Sequence, residues 1–202
     1  MRLEIKRLGP ELTEDYLDFF NNRAFTDNPP WGGCYCIGWQ MGREAQDRQD
    51  RAVAQSDGGE AAIMAILAEE VRAQIASGAL RGYLAYADGL CIGWCNANDR
   101  ANLPADSVIG GHLHAPAERR ERAVLCFEIA PTHRGQGVAT ALLERVLADA
   151  AAEGCAAVVA FPEAHETREK WDYTGPIRLY EKAGFVRADG PDGRLVMRRE
   201  LG

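Results

Sequence analysis

The sequence predicts a mixed α/β domain built around one sheet, and three observations carry that prediction. Two short strand segments joined by Asp88-Gly89 read as a hairpin. Residues 123–130 are nearly continuous in apolar character and run through a glycine-containing loop into a helix with an apolar stripe. From there to the C-terminus, strand and helix patterns interleave. The 202 residues suit a single domain, 1–202, with a helical insertion in its N-terminal half. Neither repeats nor a separating linker interrupt them.

Residues 2–8 alternate, with Leu3 and Ile5 against Glu4 and Lys6, and form a first strand that Gly9-Pro10 breaks. A helix follows, with Leu12, Tyr16, Leu17, Phe19 and Phe20 on one side. Residues 28–39 are too rich in Pro, Gly and aromatics for regular helix, and 41–55 read as an exposed helix with mixed charge. Asp57 and Glu60 have capping-box spacing. Beyond them Ile63, Leu67, Val71 and Ile75 recur every fourth residue until Gly78 stops the helix. Residues 81–87 and 90–96 are the hairpin strands. Residues 99–121 read as loop, including His112 and His114, which lack an evident third metal ligand. Gly154 closes the helix over 138–152, residues 156–161 form a strand, Pro176 opens a helix that ends at Gly184, and two closing strands follow.

Composition narrows the function classes. With 23 basic and 30 acidic residues the formal charge is −7, which argues against a nucleic-acid partner. The basic cluster at 118–122 is diluted by its own glutamates and reads as a solvated loop. The N-terminus has no apolar signal region, and no window approaches ~18 uninterrupted apolar residues, so a cytoplasmic location without membrane contact is expected. Six cysteines, Cys34, Cys36, Cys91, Cys95, Cys126 and Cys155, are expected to be reduced. Cys34/Cys36 and Cys91/Cys95 lack zinc-knuckle spacing, so no metal is predicted.

The loop Arg134-Gly135-Gln136-Gly137-Val138-Ala139 carries the chemistry. Glycines allow close approach to a ligand, and the unpaired N–H groups of a helix start receive phosphate, with Arg134 adding charge. No Lys-Ser/Thr follows, as a Walker loop requires, and Thr140 stands where a dinucleotide fingerprint needs Gly or Ala.

The segment satisfies Arg/Gln-x-x-Gly-x-Gly/Ala. Together with the run from Cys126 to Leu143 and Pro176-Ile-Arg-Leu-Tyr-Glu-Lys-Ala-Gly-Phe185, it resembles the GNAT superfamily of acyl-CoA-dependent N-acyltransferases. The set Cys34, Cys36, Trp94 and Cys95 further resembles a bacterial branch of that family. The resemblance implies splayed central strands that admit the pantetheine arm of acetyl-CoA. It places Ile129 where main-chain groups pair with pantetheine, and Arg134, Gly135, Gln136, Gly137, Val138, Ala139 and Thr140 on the pyrophosphate loop. Tyr180 falls on the tyrosine that serves as general acid for the departing thiolate; a core aromatic is the alternative. Tyr173 stands where many members have a cofactor-contacting asparagine.

Glu128 interrupts an apolar strand and is the first candidate for the base, with a buried ion pair as its alternative. His133, Glu163, His165 and Asp172 lie nearby. Trp31, Tyr35, Trp39 and Trp94 suit either the wall of an acceptor pocket or a loop packed on the core. Residues 25–80 are then the acceptor side and 121–200 the cofactor core. The expected reaction is acetyl transfer from acetyl-CoA to a primary amine, small or peptidic, by direct attack. A non-catalytic acyl-CoA sensor and a cysteine-based metal or redox protein are the rivals. The acidic chain mildly favours cationic acceptors such as polyamines or aminoglycosides, and a homodimer is left open.

Overall fold

Alternation at the start of the chain becomes strand β1 (Leu3–Arg7). Pro10 then opens a 3-10 turn into helix α1 (Thr13–Phe19), which a wider helical turn prolongs to Ala24. These features belong to a computed structural model that describes residues 2–115, 119–163, 172–190 and 195–202. Tyr16, Leu17, Phe19 and Phe20 are buried, as their spacing predicts. The Pro/Gly/aromatic stretch after Asn28 holds only single 3-10 turns. Helix α2 (Arg43–Gln55) buries no residue, whereas α3 (Glu60–Ser77) buries Val71 and Ile75.

The start of α3 departs from the sequence expectation. Its N-cap is Gly59, and Asp57 accepts a hydrogen bond from the Gly59 N–H at 2.9 Å. Asp57 and Glu60 therefore form no capping box. With two glycines between them, the short aspartate satisfies a turn before the helix begins.

Strands β2 (Gly82–Ala87) and β3 (Leu90–Asp99) are joined by Asp88 and Gly89, whose φ values of 50° and 80° make the predicted tight turn. β4 (Glu121–Ile129), α4 (Val138–Ala152), β5 (Ala157–Ala160), α5 (Ile177–Lys182), β6 (Val186–Asp189) and β7 (Leu195–Glu200) complete the order. The seven-stranded sheet runs β1-β2-β3-β4-β5-β7-β6. Only β4 and β5 are parallel neighbours.

The parallel pair makes the opening. β5 pairs with β4 only from Glu121↔Ala157 to Val124↔Ala160. Pro162 follows and has no N–H to extend the ladder. The second half of β4 is left without a strand on that side, and the Phe127 N–H donates to the Tyr173 carbonyl instead, at 2.6 Å. On its other side β4 stays paired, with Trp94 opposite Glu128 and Gly93 opposite Ile129.

Helix α4 lies over β1, β2 and β3, and its Val138 reaches the α-carbon of Gly93, where a β-carbon would come within 3.1 Å of Val138 Cγ1. The other face of β3 carries Trp94, fully buried edge-on to Tyr16 of α1 at 4.9 Å. Neighbouring residues of β4 thus serve different faces: Glu128 lies with Trp94, and Ile129 with Gly93.

The basic segment read as a solvated loop is partly internal. Arg122 sits on β4 at 5% exposure, binding Asp99 at 2.7 Å and Glu153 at 2.8 Å, and Arg120 joins both carboxylates. Charge repels this stretch from an apolar core, but two carboxylates from β3 and the end of α4 compensate it; Glu118 lies outside the described residues.

Gly82 tests this packing. A β-carbon there would lie 2.1 Å from the Cys95 carbonyl oxygen and 2.4 Å from the Trp94 ring. Because the obstacle is backbone, Gly82→Ala should lower unfolding free energy by about 3 kcal/mol or more in denaturant titration. A loss under about 0.5 kcal/mol would show that the hairpin does not pack as described.

Candidate active site

Where β4 and β5 part, a cleft of about 500 Å³ opens. Its floor is Phe127, Glu128 and Ile129; one wall is the turn entering α4, and the other runs from Asp172 along α5. Gly135 and Gly137 have φ of 75° and 84°, and open space lies in front of both, with nothing within 4 Å of where a β-carbon would stand. Val138, Ala139 and Thr140 begin α4 and present first-turn N–H groups to the cleft. Across from them, Arg178 and Lys182 sit four residues apart on α5 and also line it. Two cations facing a helix start in a glycine turn fit a polyanion of pyrophosphate type.

Gln136 does not line the cleft; its amide donates to the Thr132 carbonyl at 2.9 Å and braces the turn. Arg134 lines the cleft but turns inward. Its Nε donates to the Ile129 carbonyl at 3.0 Å, and its guanidinium meets Asp27 at 2.9 Å and Glu128 at 3.3 Å. Its charge is therefore shared with two carboxylates, and α5 presents the cations opposite the loop. Strand alternation points the Ile129 N–H into the opening, on the same edge as that of Phe127.

A second cleft, of about 480 Å³, adjoins the first on the α1 side of the sheet. Trp31, Glu128 and Tyr173 line both. Tyr35 lines the second cleft, its hydroxyl donating to Asn21, and Trp39 and Cys126 line it too. Trp94 lines neither, being enclosed behind Tyr16. Cys36 and Cys126 lie with sulfurs 3.1 Å apart, and among the described residues no group of three or more His, Cys, Asp or Glu is arranged to hold a metal ion.

Glu128 is at the junction, 8% exposed. Burial pushes its pKa up to about 7, although the Arg134 guanidinium pulls the other way. A carboxylate poised there accepts a proton near neutral pH. Tyr180 is fully buried, donates to the Thr174 carbonyl at 2.5 Å, and does not itself line the first cleft. Gly175, which does line the cleft, is close to it: a β-carbon there would lie 3.3 Å from the Tyr180 hydroxyl. Burial raises the Tyr180 pKa well above its ordinary value, so the phenol carries its proton. His133 and Asp172 line the first cleft, Glu163 lines neither, and His165 lies outside the described residues.

Sequence reading missed Asp27, Arg178 and Lys182. The last two had a signal, four-residue spacing on a helix beside Tyr180; Asp27 had none, because its partner is 107 residues away.

The chain matches the model of the acetyltransferase (GNAT) family over residues 60–185. No curated protein matches it significantly. Among solved structures it is similar to a histone acetyltransferase HPA2-related protein of Corynebacterium glutamicum, at 16% identity over 100% of this chain and 98% of that one, with TM-score 0.55. The PaiA N-acetyltransferase of Thermoplasma acidophilum, in complex with coenzyme A, shares 16% identity over 99% of each chain at TM-score 0.51. An aminoglycoside acetyltransferase from an uncultured soil metagenomic sample shares 22% over 91% of each, also at 0.51. At these identities the structures show a common fold.

The electrostatics of the junction can be read directly. By carbon-detected NMR the Glu128 carboxyl should titrate at about 7, and Arg134→Gln, which removes the opposing cation, should move it higher. A wild-type value in the ordinary glutamate range would contradict the burial described.

Proposed function

Since the chain belongs to the GNAT acetyltransferase family, we propose that it transfers acetyl from acetyl-CoA to a primary amine by direct attack, with Glu128 as the base. The single observation that carries this is Glu128 lining both clefts. Acetyl-CoA supplies an acetyl group activated as a thioester. The donor set suits it: first-turn N–H groups of Val138, Ala139 and Thr140 with Arg178 and Lys182 for the phosphates, and the Ile129 N–H for a pantetheine carbonyl.

The amine arrives through the second cleft as an ammonium. Glu128, ionised above about pH 7, takes a proton so that nitrogen presents its lone pair toward the first cleft. The nitrogen attacks the thioester carbon, the C–S bond breaks as the tetrahedral intermediate collapses, and Tyr180 gives a proton to the leaving thiolate by exchanging its bond to the Thr174 carbonyl for one to sulfur past Gly175. The second proton shed by the attacking nitrogen restores the phenol through solvent, and Glu128 releases its own proton to bulk water. Arg134 holds Glu128 and Asp27 in place. In this reading residues 25–80 supply most of the acceptor wall and 121–200 the cofactor core. No helix among the described residues is long and apolar enough to cross a membrane. A cytoplasmic location is part of this proposal, and the reducing poise of that compartment suits six free cysteines.

Thiol release from acetyl-CoA measures the reaction. Because the base works ionised, kcat/KM should rise with pH through about 7. Glu128→Gln should lower kcat/KM by about 10²-fold or more and remove that limb, with acetyl-CoA affinity kept. Tyr180→Phe should lower kcat by about 10²-fold, again with cofactor binding kept. Full turnover in both variants would overturn these roles, and cofactor binding by a protein that turns over no amine would favour a sensor.

Arg178→Ala with Lys182→Ala should raise the KM for acetyl-CoA about tenfold or more at low salt, with a smaller effect at high salt. An unchanged KM would remove α5 from the phosphate site.

A further inference from the structure

We propose that the acceptor is a primary amine on a flat, aromatic or apolar body that carries no second charge. This deepens the reading of the second cleft as the acceptor site and rests on it. Glu128 is the one charged side chain among the described residues lining that cleft. The remainder is apolar or aromatic apart from the neutral amides of Gln46 and Gln49 at the α2 end. A pocket of about 480 Å³ walled this way takes a small organic ligand and orients it by few polar groups.

The wall itself is a chain of rings. Phe25 meets Trp31 at 6.4 Å between centroids, Trp31 meets Tyr173 at 6.2 Å, and Trp39 meets Tyr173 at 6.5 Å, all tilted by 54–59°. Tilted rings leave faces and edges for another ring to pack between. Trp31 and Tyr173, like Glu128, line both clefts, so a ring seated on them lies at the junction that Glu128 borders.

Charge counting separates this acceptor from a polycation. One ammonium finds Glu128, whose own charge is already shared with Arg134. Among the described lining residues a further ammonium meets no second carboxylate; Asp50, held by Gln46 at 2.9 Å, and Asp27, paired with Arg134, stand behind the wall. It would therefore leave water for a mostly apolar surface, a loss that contact with a ring face only partly offsets. The net charge of −7 draws cations toward the protein as a whole. It does not place a second carboxylate among the described residues lining this cleft.

The test compares 2-phenylethylamine and tryptamine with spermidine and tobramycin at saturating acetyl-CoA, by thiol release. Amine binding to the coenzyme A-bound protein is followed in parallel by calorimetry. The aryl amines should exceed both polycations in kcat/KM by about 30-fold or more. Trp39→Ala should weaken 2-phenylethylamine about tenfold in both KM and binding. Ile109 lines the cleft and is 47% exposed, so Ile109→Asp keeps the fold while adding a carboxylate. It should narrow the preference for aryl amine over spermidine about tenfold.

Spermidine or tobramycin equal to or better than the aryl amines would overturn the substrate class while leaving acetyl transfer intact. If no amine releases thiol, acetyl transfer to such amines fails, and calorimetry decides the pocket separately. Saturable 2-phenylethylamine binding weakened by Trp39→Ala supports the aromatic acceptor site, and no binding overturns it.

Discussion

The early parting of β5 from β4 is the constraint on which the molecule depends. Pairing ends at Val124↔Ala160, and from there β4 carries main-chain groups with no strand to take them. In a closed sheet those groups would be consumed by the ladder, and the two faces would be sealed from each other. Here the gap joins them. Strand alternation then distributes the roles without further machinery: Ile129 lies on the α4 side, Glu128 on the α1 side, and both border the opening.

Electrostatics follow from that placement. A chain with net charge −7 repels a polyanion on average, and on the proposed reading its capture falls to the α4 start and the two cations of α5. Arg134 is spent differently, between Asp27 and Glu128, where it restrains a carboxyl that burial alone would drive higher still. Burial outweighs the attraction to Arg134, which leaves Glu128 raised to about 7. The same burial keeps the Tyr180 phenol protonated. On the proposed reading these two groups are the proton acceptor and the proton donor.

Local signals were legible where backbone chemistry decides. The helix over 138–152, its glycine turn and the Asp88-Gly89 hairpin all occur at the residues their patterns mark. Patterns that depend on which face meets what were harder. Trp94 and Gly93 alternate on β3, and only the arrival of α1 on one side and α4 on the other makes one a core ring and the other a contact for Val138. Arg122 looked solvated because Asp99 and Glu153 are remote in sequence. Asp57 showed capping-box spacing, yet the glycines after it let the turn close before α3 begins. In the site, Glu128 was visible as a lone charge in an apolar strand, whereas Asp27 was visible only once the chain had folded.

The central claim is that the two clefts meet at Glu128 through the gap in the sheet. A crystal structure with a bisubstrate analogue, coenzyme A joined through its sulfur and a carbonyl linker to 2-phenylethylamine, tests it most directly. The phosphates should lie between the Val138–Thr140 amides and α5, and the amide nitrogen should reach a Glu128 carboxylate oxygen either directly, at about 3 Å, or through one water about 3 Å from each. The ring should lie in the second cleft. An analogue whose amine limb leaves by the Asp172 side, without passing Glu128, would contradict the account.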